Sequence, residues 1–209
     1  MNVYFDTEFT GLVPGATLIS IGAITEYGEE FYAEFTDYNE KLVDKWIFDN
    51  VIEHLFYRDD DPQFTRGDAD SWMVKGKTPY VAKAFRNWCE KLHFDHPDVI
   101  QFVSDVCHYD AVLIFDLFGG AINLPKYISP AVYDINQMIA EKTGKTMKEV
   151  FDISREDLLM GAYRDLPEGD KHNSLYDARM VKMLYDGFRS VDKEVFKAQA
   201  DRLVMWNKE

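Results

Sequence analysis

Apolar positions change period along the chain, and those changes divide it into strands and helices. Residues 2–5 form a short apolar run, and residues 16–25 (ATLISIGAIT) are rich in β-branched side chains after the turn-forming Val13-Pro14-Gly15. Tyr27-Gly28 marks a tight turn, and Glu30–Phe35 (EFYAEF) alternates polar and aromatic side chains, the period of a half-buried strand. Three strands joined so closely predict an antiparallel meander. From Lys41 the period lengthens, and Leu42, Trp46, Val51, Ile52 and Leu55 predict a helix over residues 41–55. Residues 57–78 show little apolar periodicity and several Asp, Gly and Pro, which predicts a surface excursion.

A helix follows over residues 80–92, with Pro79 near its start and Val81, Phe85, Trp88 and Leu92 along one face. Residues 98–104 (DVIQFVS) read as a buried strand, and a helix over 110–118 stops at Gly119-Gly120. Later helices fit residues 135–142, 146–150, 155–161, 175–189 and 192–206. Strands first, then helices alternating with strands, predict an α/β fold: one mixed sheet flanked by helices.

Length and composition narrow the class. The 209 residues suit a single domain over 1–209, and a chain 46% hydrophobic and 15% aromatic can bury a substantial core. No apolar run approaches the ~20 residues of a membrane span. The N-terminal residues lack the basic and apolar stretches of a secretory leader. Cys89 and Cys107 cannot build a disulfide framework, so a cytoplasmic setting is expected. A net charge of −14 argues against coating nucleic acid by bulk electrostatics. It leaves room for an enzyme that meets nucleic acid through metal ions.

The acids carry the chemistry. Asp6-Thr7-Glu8 ends the first strand, where residues two apart share a face, so both carboxylates point at one small volume. Such a pair is unfavourable unless a cation sits between. The bare pattern is common, and Asp192-Lys193-Glu194 repeats it in a predicted helix where side chains two apart diverge. Asp110 heads a stripe of Leu113, Ile114, Leu117 and Phe118, which turns its carboxylate toward the sheet. Asp177 heads Val181, Leu184 and Phe188 in the same way. The plainer readings are a helix-dipole acid at Asp110 and a capping box over Ser174–Asp177. Neither explains four converging acids, nor His172 placed just before the last of them. An imidazole there suits proton removal from water at neutral pH. Four carboxylates and one histidine from three segments match a two-metal hydrolytic site, with the ions about 4 Å apart. Oxygen ligands favour Mg²⁺ or Mn²⁺ over zinc.

Asp6-Thr-Glu-Phe-Thr-Gly-Leu12, Cys107-His-Tyr-Asp110-Ala-Val-Leu-Ile114 and His172-Asn-Ser-Leu-Tyr-Asp177-Ala-Arg resemble, in order and spacing, the three motifs of the DEDDh 3′→5′ exonucleases. These belong to the ribonuclease H-like superfamily. Within them the chain is most similar to the small bacterial and phage enzymes of the mycobacterial polyadenylate-specific exoribonuclease type. Shared with these are Leu18–Gly22 (LISIG), Trp46, Val51 and Leu55, and Tyr109-Asp110. The resemblance implies a ribonuclease H-like fold and release of nucleoside 5′-monophosphates from single-stranded RNA or 3′ overhangs. It implies that Asp6 bridges two Mg²⁺ or Mn²⁺ ions, that Glu8 and Asp177 complete the nucleophile-side ion and that Asp110 holds the second. It implies His172 as general base, a homodimer, and the cytoplasm (of the host, for a virus-encoded member) as the location. The family's second motif usually carries His-Asn shortly before its acid. This chain has Asp105 and Val106 there, so Asp105 competes with Asp110, although it lacks the following helical stripe.

Thr7, Phe9, Leu12 and Tyr109 are the expected substrate-binding residues, with Phe9 and Leu12 stacking on or wedging beside the terminal base. Core packing is the alternative for Phe9 and Leu12. Lys75, Lys77, Lys83 and Arg86, interleaved with Trp72 and Tyr80, suggest a strand path or merely a solvated charged face. No residue discriminates the sugar, so a DNA exonuclease remains an alternative. So do a small-nucleotide phosphodiesterase and a catalytically silent nucleotide-binding module on the same fold.

Overall fold

The first three strands pair as their alternation predicts. In the computed structural model, which describes residues 1–57, 62–163, 165–190 and 193–206, β1 (Asn2–Phe9) runs antiparallel to β2 (Leu18–Thr25), and β2 to β3 (Glu30–Phe35). Beyond them the sheet gains β4 (Phe64–Gly67), β5 (Ser71–Gly76), β6 (Gln101–Ser104) and the two-residue β7 (Tyr133–Asp134). The strand order is β4-β5-β3-β2-β1-β6-β7, with β3/β5, β1/β6 and β6/β7 parallel. The helices are α1 (Lys45–Asn50), α2 (Thr78–Asp95), α3 (His108–Asp116), α4 (Ile135–Thr143), α5 (Met147–Phe151), α6 (Arg155–Tyr163), α7 (Ser174–Arg189) and α8 (Lys193–Trp206).

The two faces of the sheet bury different helices. Val3 and Phe5 of β1 join Phe85 and Trp88 of α2 and Ile114 of α3 in one core. Tyr4, pointing the other way, joins Ile139 of α4, Leu158 of α6, Val181 and Leu184 of α7 and Phe196 of α8. By the same alternation Asp6 and Glu8 share the α7 side of β1, and Thr7 faces α3.

Two expectations need correction. Residues 57–78 are not a bare surface excursion: β4 and β5 form a hairpin, and β5 extends the sheet beside β3. Its strand signal is masked because Lys75 lies opposite Glu34 in register and is only 3% exposed, whereas a lysine or glycine in a sequence reads as a loop marker. Residues 58–61 of that segment lie outside the described residues, as does Asp192 of the predicted last helix. The expected helix over 41–55 is broken into α1 and two 3₁₀ turns, Glu40–Leu42 and Ile52–His54. Asp44 caps α1 by accepting the Ile47 N–H at 2.8 Å, so a new element begins inside the apolar period. Ile47 and Val51 then pack with Ile19 in a small separate core.

Helix α7 lands directly on β2. A Cβ on Gly22 would lie 2.3 Å from the backbone of Ser174 and Leu175, and the Ser20 and Ser174 hydroxyls are 2.9 Å apart. Gly22 pairs with Asp6 and Ser20 with Glu8 across the β1/β2 ladder. The first turn of α7 is thereby set one strand away from both carboxylates. Gly22→Ala is expected to destabilise the protein by about 1–3 kcal/mol through overpacking, read as a lower urea midpoint. An unchanged midpoint would mean that this contact is slack.

Candidate active site

The chain reaches α7 through a left-handed residue. His172 has φ +65°, which turns the backbone so that its N–H donates to Asp177 Oδ2 at 2.9 Å. A non-glycine residue in that region costs on the order of 1 kcal/mol or more, and the bond to Asp177 offsets part of it. Asn173 follows as the helix cap, its Oδ1 accepting from Leu175 N at 3.1 Å and Tyr176 N at 3.4 Å. The capping box, the plainer alternative for Ser174–Asp177, is not what forms: Asn173 caps, and Asp177 accepts from the amide of His172. With the turn so fixed, His172 Nδ1 stands 4.0 Å from Glu8 Oε1. One ligand atom from each of Glu8, His172 and Asp177 lies within 4.8 Å of the others.

Asp110 enters from the opposite side, in the first turn of α3. It is 7% exposed, and its Oδ1 accepts from the Thr7 amide at 3.1 Å and the Thr7 hydroxyl at 2.6 Å. Thr7, expected among the substrate-binding residues, is buried and directs both donors at Asp110. Asp105, the competing acid, is held differently. Arg155 grips it through Nε at 2.7 Å and Nη2 at 3.2 Å, and Asn136 Nδ2 donates to it as well.

These groups border one cleft of about 990 Å³, lined by Asp6, Glu8, Asp110, His172 and Asp177, with Asp105 and Arg155 on its wall. That volume stands at the upper end of the ~300–1,000 Å³ usual for ligand pockets. Phe9 and Tyr109 line it with their rings stacked at 5.6 Å and 15°, and Leu12 is 73% exposed at its edge. Trp46 also lines it, half-exposed and edge-on to the His172 ring at 5.1 Å. The helical period had counted Trp46 toward a buried stripe. Its place is hinted at in the sequence by Asp44, whose cap restarts the helix two residues earlier, and by the sharing of Trp46 with the resembled exoribonucleases. The basic residues Lys75, Lys77, Lys83 and Arg86 do not line the cleft: Lys75 is buried in the sheet, and Arg86 donates to the Leu117 carbonyl.

Residues 1–186 match the family model described as the 3′-5′ exoribonuclease Rv2179c-like domain. The chain belongs to this family. It is 25% identical to the 3′-5′ exoribonuclease Rv2179c of Mycobacterium tuberculosis over 138 residues, 66% of this chain and 73% of that protein. Among solved structures it is similar to Schizosaccharomyces pombe Pop2p in its Mg²⁺- and Mn²⁺-bound form, with TM-score 0.62 and 14% identity over 93% of this chain and 84% of that one. It is also similar to a 3′-exonuclease solved for 3′-end specific recognition of the histone mRNA stem-loop. There the TM-score is 0.58 and the identity 11%, over 97% of this chain and 64% of that one. At such identities the structures speak for the fold, and it is ribonuclease H-like as expected.

In this member of the exoribonuclease family the acids repel one another. Burial, then Asp177, Asp110, Glu8 and Asp105, push the Asp6 carboxyl well above its ordinary range. Burial, then Asp177 and Asp110, do the same to Glu8. Burial raises Asp110 to about 6 against the Thr7 hydrogen bonds, and raises Asp177 to about 7 against the His172 amide and Lys171. Both helix-borne acids are thus felt at the strand-borne pair. A hard, oxygen-seeking divalent cation is the partner that relieves this crowding, so the donor set fits Mg²⁺ or Mn²⁺. His172 shifts the other way, lowered by burial, Lys171 and His54.

Because Asp110 and Asp177 bind protons more tightly folded than unfolded, the cation-free protein loses their contribution as pH rises from about 4 toward about 7. His172 works in the opposite sense below its ordinary value. Asp177→Asn keeps an acceptor for the His172 amide and removes a charge. It is expected to raise the melting temperature in chelator at about pH 8, with the gain shrinking toward about pH 5, where wild type is itself protonated. Equal destabilisation at both pH values would contradict the charge account.

Proposed function

We propose that this protein is a 3′-5′ exoribonuclease that removes nucleoside 5′-monophosphates from single-stranded RNA or 3′ overhangs, using two divalent cations held by Asp6, Glu8, Asp110 and Asp177. The observation that carries the reading is the convergence of Glu8, His172 and Asp177 within 4.8 Å on a cleft that Asp6 and Asp110 also border. Membership in the exoribonuclease family supports RNA as substrate, and the Mg²⁺- and Mn²⁺-bound form of Pop2p supports the choice of ions. Bound at these carboxylates, the cations supply charge neutralisation, an acidified water and stabilisation of the leaving oxygen.

The chain's own residues do the rest. His172 turns Nδ1 toward Glu8, and its lowered pKa keeps the ring neutral near pH 7, ready to accept the proton of the attacking water there. The hydrogen bond from the His172 amide to Asp177 Oδ2 holds the turn that aims this ring, and Trp46 packs edge-on beside it. Thr7 orients Asp110 from beneath. Phe9, Tyr109, Leu12 and Trp46 offer aromatic and apolar surface around the carboxylates, where the terminal bases stack whatever their identity.

The decisive assay incubates purified protein with matched RNA and DNA oligomers, with and without Mn²⁺, and reads products by length. Stepwise shortening of the RNA from its 3′ end is expected. Asp6→Ala should abolish it while leaving thermal unfolding of the cation-free protein unchanged or improved. His172→Ala should lower kcat by about 10²–10⁴-fold with little change in KM. Unimpaired digestion by Asp6→Ala would refute the assignment, and a loss confined to KM would make His172 a binding group.

A further inference from the structure

Beyond the four acids of the proposed mechanism the cleft is also lined by Asp105, for which that mechanism has no use. Asp105 follows β6 directly, and Val106 after it has φ +52°. A β-branched residue in the left-handed region is strained, and the surroundings must hold it there. That turn sends two neighbouring acids of one segment in different directions: Asp110 to Thr7 on β1, Asp105 to Arg155 on α6.

Arg155 is saturated. Nε and Nη2 form the fork on Asp105, Nη2 also reaches Asn136 Oδ1, and Nη1 donates to the carbonyls of Val150 at 2.8 Å and Ile153 at 2.7 Å. The guanidinium therefore spends its five N–H groups within the protein, and none remains for a phosphate. Asn136 completes the clamp by donating to Asp105 and to Asp134, the cap of α4. Both partners are largely recessed, with 22% of the Asp105 side chain and 15% of the Arg155 side chain exposed. Bidentate pairing of this kind fixes geometry as well as charge.

We propose that Arg155 is a positioning residue that withholds Asp105 from the cation set, and that the Arg155–Asp105 pair sets the cation affinity of the neighbouring carboxylates by keeping one formal negative charge neutralised on the cleft wall. The inference rests on the two-cation reading of the cleft. Its physical content is that the two members act with opposite sign. Removing Arg155 leaves a fifth negative charge facing the site. Removing the charge of Asp105 leaves a fixed positive one.

The test measures Mn²⁺ binding to the full chain by calorimetry, alongside hydrolysis of a 3′-labelled oligoribonucleotide. Asp105→Asn should weaken Mn²⁺ binding and Arg155→Gln should tighten it, each by up to about tenfold, the scale of one partly screened unit charge. The double variant, which removes both charges, should return to within about twofold of wild type. Arg155→Gln should also lose turnover despite its tighter binding, because the freed carboxylate draws the ion from its place. Shifts of the same sign in both single variants, or no shift, would overturn the proposal. So would loss of Mn²⁺ binding in Asp105→Asn as complete as in Asp110→Asn, since Asp105 would then be a ligand. Should Arg155→Gln fail to fold, the sign for Asp105→Asn decides alone: weaker binding supports the proposal and unchanged binding overturns it. Wild type that neither binds Mn²⁺ nor shortens RNA would fail the two-cation reading itself and take this proposal with it.

Discussion

A helix start pressed onto a strand at a glycine is the contact on which the rest of the molecule turns. Gly22 lets the backbone at Ser174 and Leu175 approach β2 to a distance that no Cβ would allow. The register of β1 against β2 then converts this one close approach into a functional juxtaposition, since Asp6 pairs with Gly22 and Glu8 with Ser20. His172 and Asp177 bracket the same helix start. A side chain at residue 22 would lift α7 and carry away two of the five groups that meet in the cleft. The strand pair and the helix terminus are local structures, whereas the site exists only in their contact.

Gathering like charges works against folding, and the scaffold around them is correspondingly rich in buried hydrogen bonds. Asn173 caps α7 with its Oδ1 while its Nδ2 donates to the His54 carbonyl at 3.2 Å. Glu34, buried in β3, accepts from the amides of Phe56 and Tyr57 at 2.7 and 3.2 Å and from the Tyr32 hydroxyl at 2.8 Å. These bonds fasten the C-terminal end of the segment from α1 to Tyr57, the segment that holds Trp46 against His172. Rigid secondary structure on both walls keeps the carboxylates in place where their mutual repulsion would otherwise spread them.

Much of this was legible in the sequence because it is periodic or local. The β1 alternation put Asp6 and Glu8 on one face, and the stripes behind Asp110 and Asp177 turned both acids inward, where they are found. What was illegible depended on partners far along the chain. Lys75 marks a loop by type and sits inside a strand because Glu34 lies opposite it. Trp46 fits a helical period that the cap at Asp44 cuts short, so it comes out at the cleft instead of in the core. Asp105 and Asp110 could be ranked by the helical stripe, but the clamp that distinguishes them comes from Arg155, fifty residues later. The left-handed conformation of Val106 has no signature in residue type, and that of His172 only the weak one of an imidazole.

The charge of the whole chain bears on how such a site can take a polyanion. At net −14 the protein offers phosphate no general attraction. Within the cleft Arg155 is consumed by Asp105 and by carbonyls, and among the described residues the remaining basic lining is Lys171, with the imidazoles of His172 and His108. On the proposed reading, affinity for a nucleic acid would come from cations at the carboxylates and from the faces of Phe9, Tyr109 and Trp46. Such a surface contacts few nucleotides and concentrates its grip where the ions are. Long internal stretches of a strand gain little from it. A chain end that placed its last bases on the aromatic wall would gain most, so on the proposed reading the same scarcity of positive charge that weakens binding along a strand favours attack from a terminus.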